Sequence, residues 1–189
     1  MELLALDIIN SNRVDFLSST TRRDILDDRQ WLGDLLGKWG LFPADQVLTP
    51  GFIAELKNLR ESMGRLVADL NNGTKPHEEA LDAFNTVFFA VSARPRLTYA
   101  DSGFAVEQNY TPGGQMLLLW HIAASFADLL QSEDRSRIKI CRHDDCEYVF
   151  FDSSKNKSRR WCDDKVCGNI LKARRFRSRQ KAEAGKAKT

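Results

Sequence analysis

The first 140 residues of this chain contain no cysteine, so no disulfide framework holds its larger part together. They also lack a Gly-x-Gly-x-x-Gly fingerprint, a Gly-x4-Gly-Lys-Ser/Thr phosphate loop and a Gly-x-Ser-x-Gly nucleophile elbow. Those absences remove the commonest dinucleotide, nucleotide and hydrolase sites. Histidine is scarce: His77 and His121 stand alone, and His143 lies far along the chain. No run is long enough to cross a bilayer. The most apolar stretch, residues 116–130, is interrupted by His121 and Asp128, and a span needs about 20 apolar residues. The opening MELLALDIIN has no basic region, and Asp7 breaks its apolar run. It does not read as a secretory signal, so the expectation is a cytoplasmic protein without a membrane partner. Internal repeats and sustained coiled-coil heptads are missing too.

What is present is helical periodicity. Leu3, Leu6, Ile9, Phe16 and Leu17 predict a helix over residues 3–18, with Asn10-Ser11-Asn12 as a place where it can break. Residues 24–39 repeat Ile25, Leu26, Trp31, Leu32, Leu35, Leu36 and Trp39 at helical spacing, closed by Gly40 and Pro43. Thr49-Pro50 forms a cap and first turn for a helix with Phe52, Leu56, Leu59, Met63, Leu66 and Leu70 on one stripe, stopped at Asn71-Asn72-Gly73. Pro76 opens another, with Leu81, Phe84, Val87, Phe88 and Val91 inward. Residues 96–100 and 104–110 flank Asp101-Ser102-Gly103 and predict a β-hairpin. The apolar helix from about 115 to 130 follows, central to this body because it is apolar nearly all round.

All four cysteines fall within 27 residues near the C-terminal end: Cys141-x4-Cys146-x15-Cys162-x4-Cys167. Paired cysteines without an export signal read as metal ligands. Two short loops separated by a hairpin-sized insert bring four thiolates to the corners of a tetrahedron, the preference of zinc. Residues 148–151 are expected to form one strand and residues 159–161 its return, before a helix from about Gly168. That order resembles a treble-clef finger. Four cysteines saturate one structural zinc and leave no open position for catalysis, so the expectation is a protein that is not an enzyme. His143 is an alternative ligand in place of one cysteine.

Charge divides the chain in the same place. Residues 137–189 hold 16 Lys/Arg against 7 Asp/Glu, a net +9, whereas the preceding residues net −7. The balance of +2 over the whole chain therefore hides a basic appendage on an acidic body. On a helix from Gly168, Lys172, Arg175 and Arg179 share one face, with Arg174, Arg177 and Lys181 beside it. Lys157, Arg159 and Arg160 before Cys162 extend the same surface. Such a surface suits phosphates. DNA is the first reading; RNA, an acidic protein partner or simple solvation of the basic face are the alternatives. No base-reading side chain is identifiable.

The cysteine segment together with Phe151-Asp152-Ser153, Arg159-Arg160-Trp161 and Cys167-Gly168-Asn169 resembles the CGNR zinc finger. That finger ends a family of bacterial proteins described as stress-induced transcription regulators. In them it follows an N-terminal domain called ABATE, whose opening segment is similar to residues 4–10 here. The chain departs from the motif at its last position, where Ile170 stands in place of arginine. No contact of that arginine is carried over.

The expected organisation is mainly α within an α+β class. Residues 1–136 form a helical domain with one hairpin, for sensing or dimerisation. Residues 137–182 form the finger and basic helix, and residues 183–189 a flexible tail. The expected function is DNA-binding transcription regulation in a stress response, as a monomer or homodimer. A zinc-scaffolded adaptor for an acidic protein or RNA is the alternative. In the body, Trp31, Trp39, Trp120 and His121 are the candidates for a ligand pocket, although His121 also reads as an ordinary core histidine.

Overall fold

The computed structural model describes residues 3–14, 22–41, 47–100, 103–131 and 134–169. The chain divides into two compact units: Met1–Asn12 with Asp24–Arg135, and Arg13–Arg23 with the chain from Ser136 onward. The order of elements is α1 (Leu4–Ile9), β1 (Asn12–Val14), β2 (Arg22–Asp24), α2 (Arg29–Lys38), α3 (Pro50–Asn72) and α4 (Glu78–Phe89). Then come β3 (Ser92–Ala100), β4 (Gly103–Thr111), α5 (Gly114–Gln131), β5 (Ile138–Ile140) and β6 (Val149–Phe151). Among the described residues the strands pair in twos: β1 with β2, β3 with β4, and β5 with β6.

The first unit is a helical body. Its longest element, α3, starts where Thr49 Oγ1 accepts the Phe52 N–H at 3.2 Å, with Pro50 in the first turn. Gly73 stops it at φ 68°, a left-handed conformation that glycine adopts without a Cβ penalty. Phe52, Leu56, Leu59, Met63 and Leu66 are buried along one stripe. They face α1, α4 and α5. From α5, Leu118, Leu119, Ile122, Ala123, Phe126 and Leu129 are buried, so this helix is central, as its composition predicts. Each such large side chain contributes about 1.5–3 kcal/mol by leaving water. Gln115 ties the start of α5 to the start of α3: its Oε1 accepts from Thr49 Oγ1–H at 2.7 Å, and its Nε2 donates to the Val47 carbonyl at 2.9 Å.

One element takes the break its sequence allows, and two others differ from expectation. The first helix ends at Ile9, because Ser11 turns its hydroxyl onto the Ile8 carbonyl at 2.6 Å and the chain then enters β1. Phe16 and Leu17 lie outside the described residues. The second helix begins later than predicted: residues 22–24 form β2, residues 25–27 a single 3-10 turn, and Asp28 caps α2 by accepting the Trp31 N–H. Its end at Gly40 holds (φ 66°), whereas Pro43 lies outside the described residues. In α4, Ala80 and Phe84 face inward but Leu81 is exposed. The α3–α4 corner is fixed by buried Asp69, whose carboxylate accepts from the His77 backbone N–H at 3.0 Å and pairs with the His77 ring at 2.8 Å.

Arg60, buried on α3, carries the body's main polar anchor. Its guanidinium grips Asp24 with two bonds of 2.7 and 2.8 Å and donates to Ser11 Oγ at 2.9 Å. Partial burial raises the Asp24 carboxyl, but the Arg60 bond, the Leu26 N–H and Lys57 outweigh it and hold the group below its usual range.

A cysteine cluster and its basic surface

In the second unit, β5 leads into Cys141 and pairs antiparallel with β6, Lys139 opposite Phe150. The chain between them folds into a knuckle: the Cys146 N–H donates to the His143 carbonyl (2.9 Å) and the Cys141 N–H to the Tyr148 carbonyl (2.8 Å). The second knuckle starts at Cys162. Asp163 caps the wide helical turn Asp164–Gly168 by accepting from the Lys165 and Val166 N–H groups at 2.7 and 3.0 Å, which brings Cys167 back toward Cys162. The predicted return strand at residues 159–161 is absent. The partner of β6 is β5, and the Arg160 carbonyl receives one bond from the Arg142 N–H.

All four Sγ atoms lie within 4.8 Å of one another. The Cys146–Cys162, Cys162–Cys167 and Cys167–Cys146 separations are 3.7, 3.6 and 3.6 Å. A tetrahedral ion with arms of about 2.3 Å requires sulfur–sulfur edges of about 3.8 Å, so the cluster matches the dimensions of a zinc thiolate site. A disulfide, at about 2.05 Å, does not fit these separations, and all four cysteines are free. Cys141, Cys146 and Cys167 are buried. Tyr148, Trp161 and Val166 pack around them with Phe150.

The electrostatics also call for a cation. The hydrogen bond from Cys162 pulls the Cys146 thiol down to about 5. Cys162 is pushed far up by its bond to Cys146 and by burial, and Cys167 is raised to about 12, by burial first. One thiolate forms readily and then opposes the others. A dication at the centre removes that opposition. The set fits one structural zinc held by Cys141, Cys146, Cys162 and Cys167, with no position left for substrate. His143 is buried, with its Nδ1 accepting from the Asp145 N–H at 3.3 Å, and stands outside the sulfur cluster.

Next to the cysteines is a polar knot that sequence reasoning did not single out. Asp152 is completely buried. Its carboxylate accepts from Lys139 Nζ (2.6 Å), from the Ser154 hydroxyl (2.6 Å) and N–H (3.0 Å), and from the Arg159 N–H (3.0 Å). Burial alone pushes this carboxyl up, but Lys139 and the three other donors overcome it and hold it well below the usual carboxylate range. Lys139 also donates to the Lys157 and Arg159 carbonyls, and Arg137 to the Asp152 and Ser154 carbonyls. This knot shapes the insert between the knuckles as a loop and explains why no return strand forms. The sequence marked Asp152 only as part of the Phe151-Asp152-Ser153 motif segment and gave its carboxylate no role.

The residues expected at a nucleic-acid surface separate. Lys157 and Arg160 are exposed. Arg159 is half-buried, with its guanidinium over the Phe150 ring at 4.8 Å and donating to the Cys162 carbonyl. It braces the second knuckle. Lys172, Arg174, Arg175, Arg177 and Arg179, with the predicted basic helix, lie outside the described residues.

In the body, Trp120 and His121 come together with Tyr110, ring centres 5.2 and 5.7 Å from it. Phe88 joins Trp120 at 6.2 Å. Burial pushes the His121 imidazole down, toward its neutral form. Trp31 and Trp39 lie on and just after α2, and no ring contact links them to this group among the described residues. A groove of about 230 Å³ lies elsewhere, between α3, α4 and α5, lined by residues that include Glu55, Asn58, Val87 and Met116.

No helix among the described residues is long and apolar enough to cross a membrane. No curated protein matches the chain. Two family models do: residues 137–180 match the CGNR zinc finger, which agrees with the cysteine geometry. Residues 2–133 match ABATE, described as "Putative stress-induced transcription regulator". The second match spans well over half of the sequence, so the chain belongs to the ABATE family and carries a CGNR zinc finger after that domain.

Proposed function

We propose that the protein is a DNA-binding transcription regulator in which zinc fixes a basic surface and the helical body receives a signal. The reading rests on one observation: the segment that is net +9 is the segment whose cysteines are spaced for a zinc ion. A small lobe whose shape depends on a metal can present cations in a fixed arrangement without a large core. Exposed Lys157 and Arg160 belong to that arrangement, and the arginines after residue 170 continue it in sequence. Contacts from such groups are to phosphates, so they give affinity and register before any sequence preference. The signal-receiving part is assigned to the α3–α4–α5 groove, which combines an apolar lining with Glu55 and Asn58.

The test is selection of bound fragments from a random duplex pool, followed by mobility-shift titration at several salt concentrations. Affinity should fall steeply with salt. Joint replacement of Lys172, Arg175 and Arg179 by alanine should weaken binding to every duplex. Binding to no duplex, or binding indifferent to salt, overturns the DNA reading. A partner captured equally well after nuclease treatment would favour the adaptor reading.

A further inference from the structure

The β3–β4 ribbon carries an apolar face that the rest of its unit leaves open. The register places Leu97 opposite Val106 and Tyr99 opposite Phe104. Alternation then puts Ala93, Pro95, Leu97 and Tyr99 on the same face as Tyr110, Gln108, Val106 and Phe104. At the base of the ribbon, Tyr110 packs on Trp120 and His121 of α5. Farther out the face continues without cover. Leu97, Tyr99, Phe104 and Val106 are 67%, 74%, 77% and 64% exposed, although Tyr99 and Phe104 stack on each other at 4.9 Å. The opposite face carries Arg94, Arg96 and Thr98 against Asn109, Glu107 and Ala105. The ribbon is therefore amphipathic, and its apolar side faces solvent.

We propose that this face is the docking surface for a second copy of the chain, the aromatic pair of one against the aliphatic pair of the other. Three observations favour that occupant. First, the eight positions of the face include no Asp, Glu, Lys or Arg, so the same patch can meet itself about a two-fold axis without like charges touching. A nucleic acid or an acidic partner finds no cation there. Second, the area is sufficient. An aromatic side chain offers about 150–250 Å², and these four side chains together expose on the order of 500 Å². Two copies then bury about 1,000 Å², the lower bound of a specific interface. Third, the open face is continuous with the part already packed on α5, so docking extends an existing core. A two-stranded ribbon alone is marginal in water, and covering this face would stabilise it.

Sedimentation equilibrium of the full zinc-loaded chain, from roughly 1 to 100 μM, tests this independently of any nucleic acid. A monomer–dimer equilibrium is expected. Val106→Arg should weaken it by at least about 100-fold, as for loss of a central interface contact, with zinc content and far-UV circular dichroism unchanged. Arg96→Ser, on the opposite face, should leave it intact. A wild-type chain that stays monomeric throughout, or a folded Val106→Arg variant that still dimerises, overturns the proposal. If Val106→Arg fails to fold, a photo-crosslinking phenylalanine analogue at position 104 decides. A covalent dimer supports the interface, and its absence at concentrations where the chain is dimeric refutes it.

Discussion

In the helical body the side chains that leave solvent are Leu4, Ile8, Leu32, Leu36, Leu56, Met63, Ile122, Phe126 and their neighbours. Among the described residues of the cysteine-bearing unit, the buried set is Ile138, Val149 and Phe150 together with three of the four cysteines, His143 and Asp152. The first list is mostly hydrocarbon and supports helices α1 to α5. The second is short, and much of it is polar or metal-seeking. A segment of this size cannot bury enough apolar surface to offset the entropy of ordering its backbone. It substitutes directional bonds: four sulfurs around an ion, and one carboxylate ringed by donors. The body should therefore soften gradually as contacts are removed, whereas the lobe should fail all at once when its centre is lost.

The widest separation between the two should come from the metal. Elemental analysis should find one zinc per chain. Chelation, or Cys162→Ser, should abolish the ordered structure of the lobe, since zinc supplies roughly 10–16 kcal/mol of apparent binding free energy in peptide fingers. The body's urea transition should be unaffected, and amide spectra resolved by residue would show both. A body that unfolds together with the lobe would break the comparison. Next, Phe126→Ala removes a fully buried ring stacked on Phe84 at 5.4 Å. It should cost the body about 3–5 kcal/mol by urea denaturation, with zinc stoichiometry unchanged. The smallest effect concerns acid. The carboxyl of Asp24 is depressed in the folded state, so its contribution is present above the unfolded value near 3.9 and is lost as pH falls toward the folded value. Asp24→Asn should lower the body's urea midpoint at pH 7, and by progressively less below about pH 4.

Local signals carried far. Thr49 caps α3 and Gly73 ends it because each acts through its own backbone within a few residues, and such effects are written in the sequence at that point. The four cysteines were legible for the same reason: two six-residue knuckles and a donor type with few other uses. What escaped is long-range and polar. Nothing around Asp24 announces an arginine 36 positions away, whereas the break after Ile9 was marked locally by Asn10-Ser11-Asn12. The Asp152–Lys139 bond joins two residues that read as ordinary surface charges. The same bond replaced the expected return strand with a loop. The tryptophan pocket drew on residues from α2 and α5 that share a chemical type, and type alone does not bring rings together.

The inward arginines of the cysteine unit have a kinetic consequence. Arg137 and Arg159 turn guanidinium donors onto backbone carbonyls, which carry no net charge. The potential outside the protein depends on where charge lies, and the direction of the N–H bonds has little effect on it. These two side chains would draw a polyanion toward the surface while their engaged donors form no bond to it. The speed of approach would then depend on more cations than the bound state contacts.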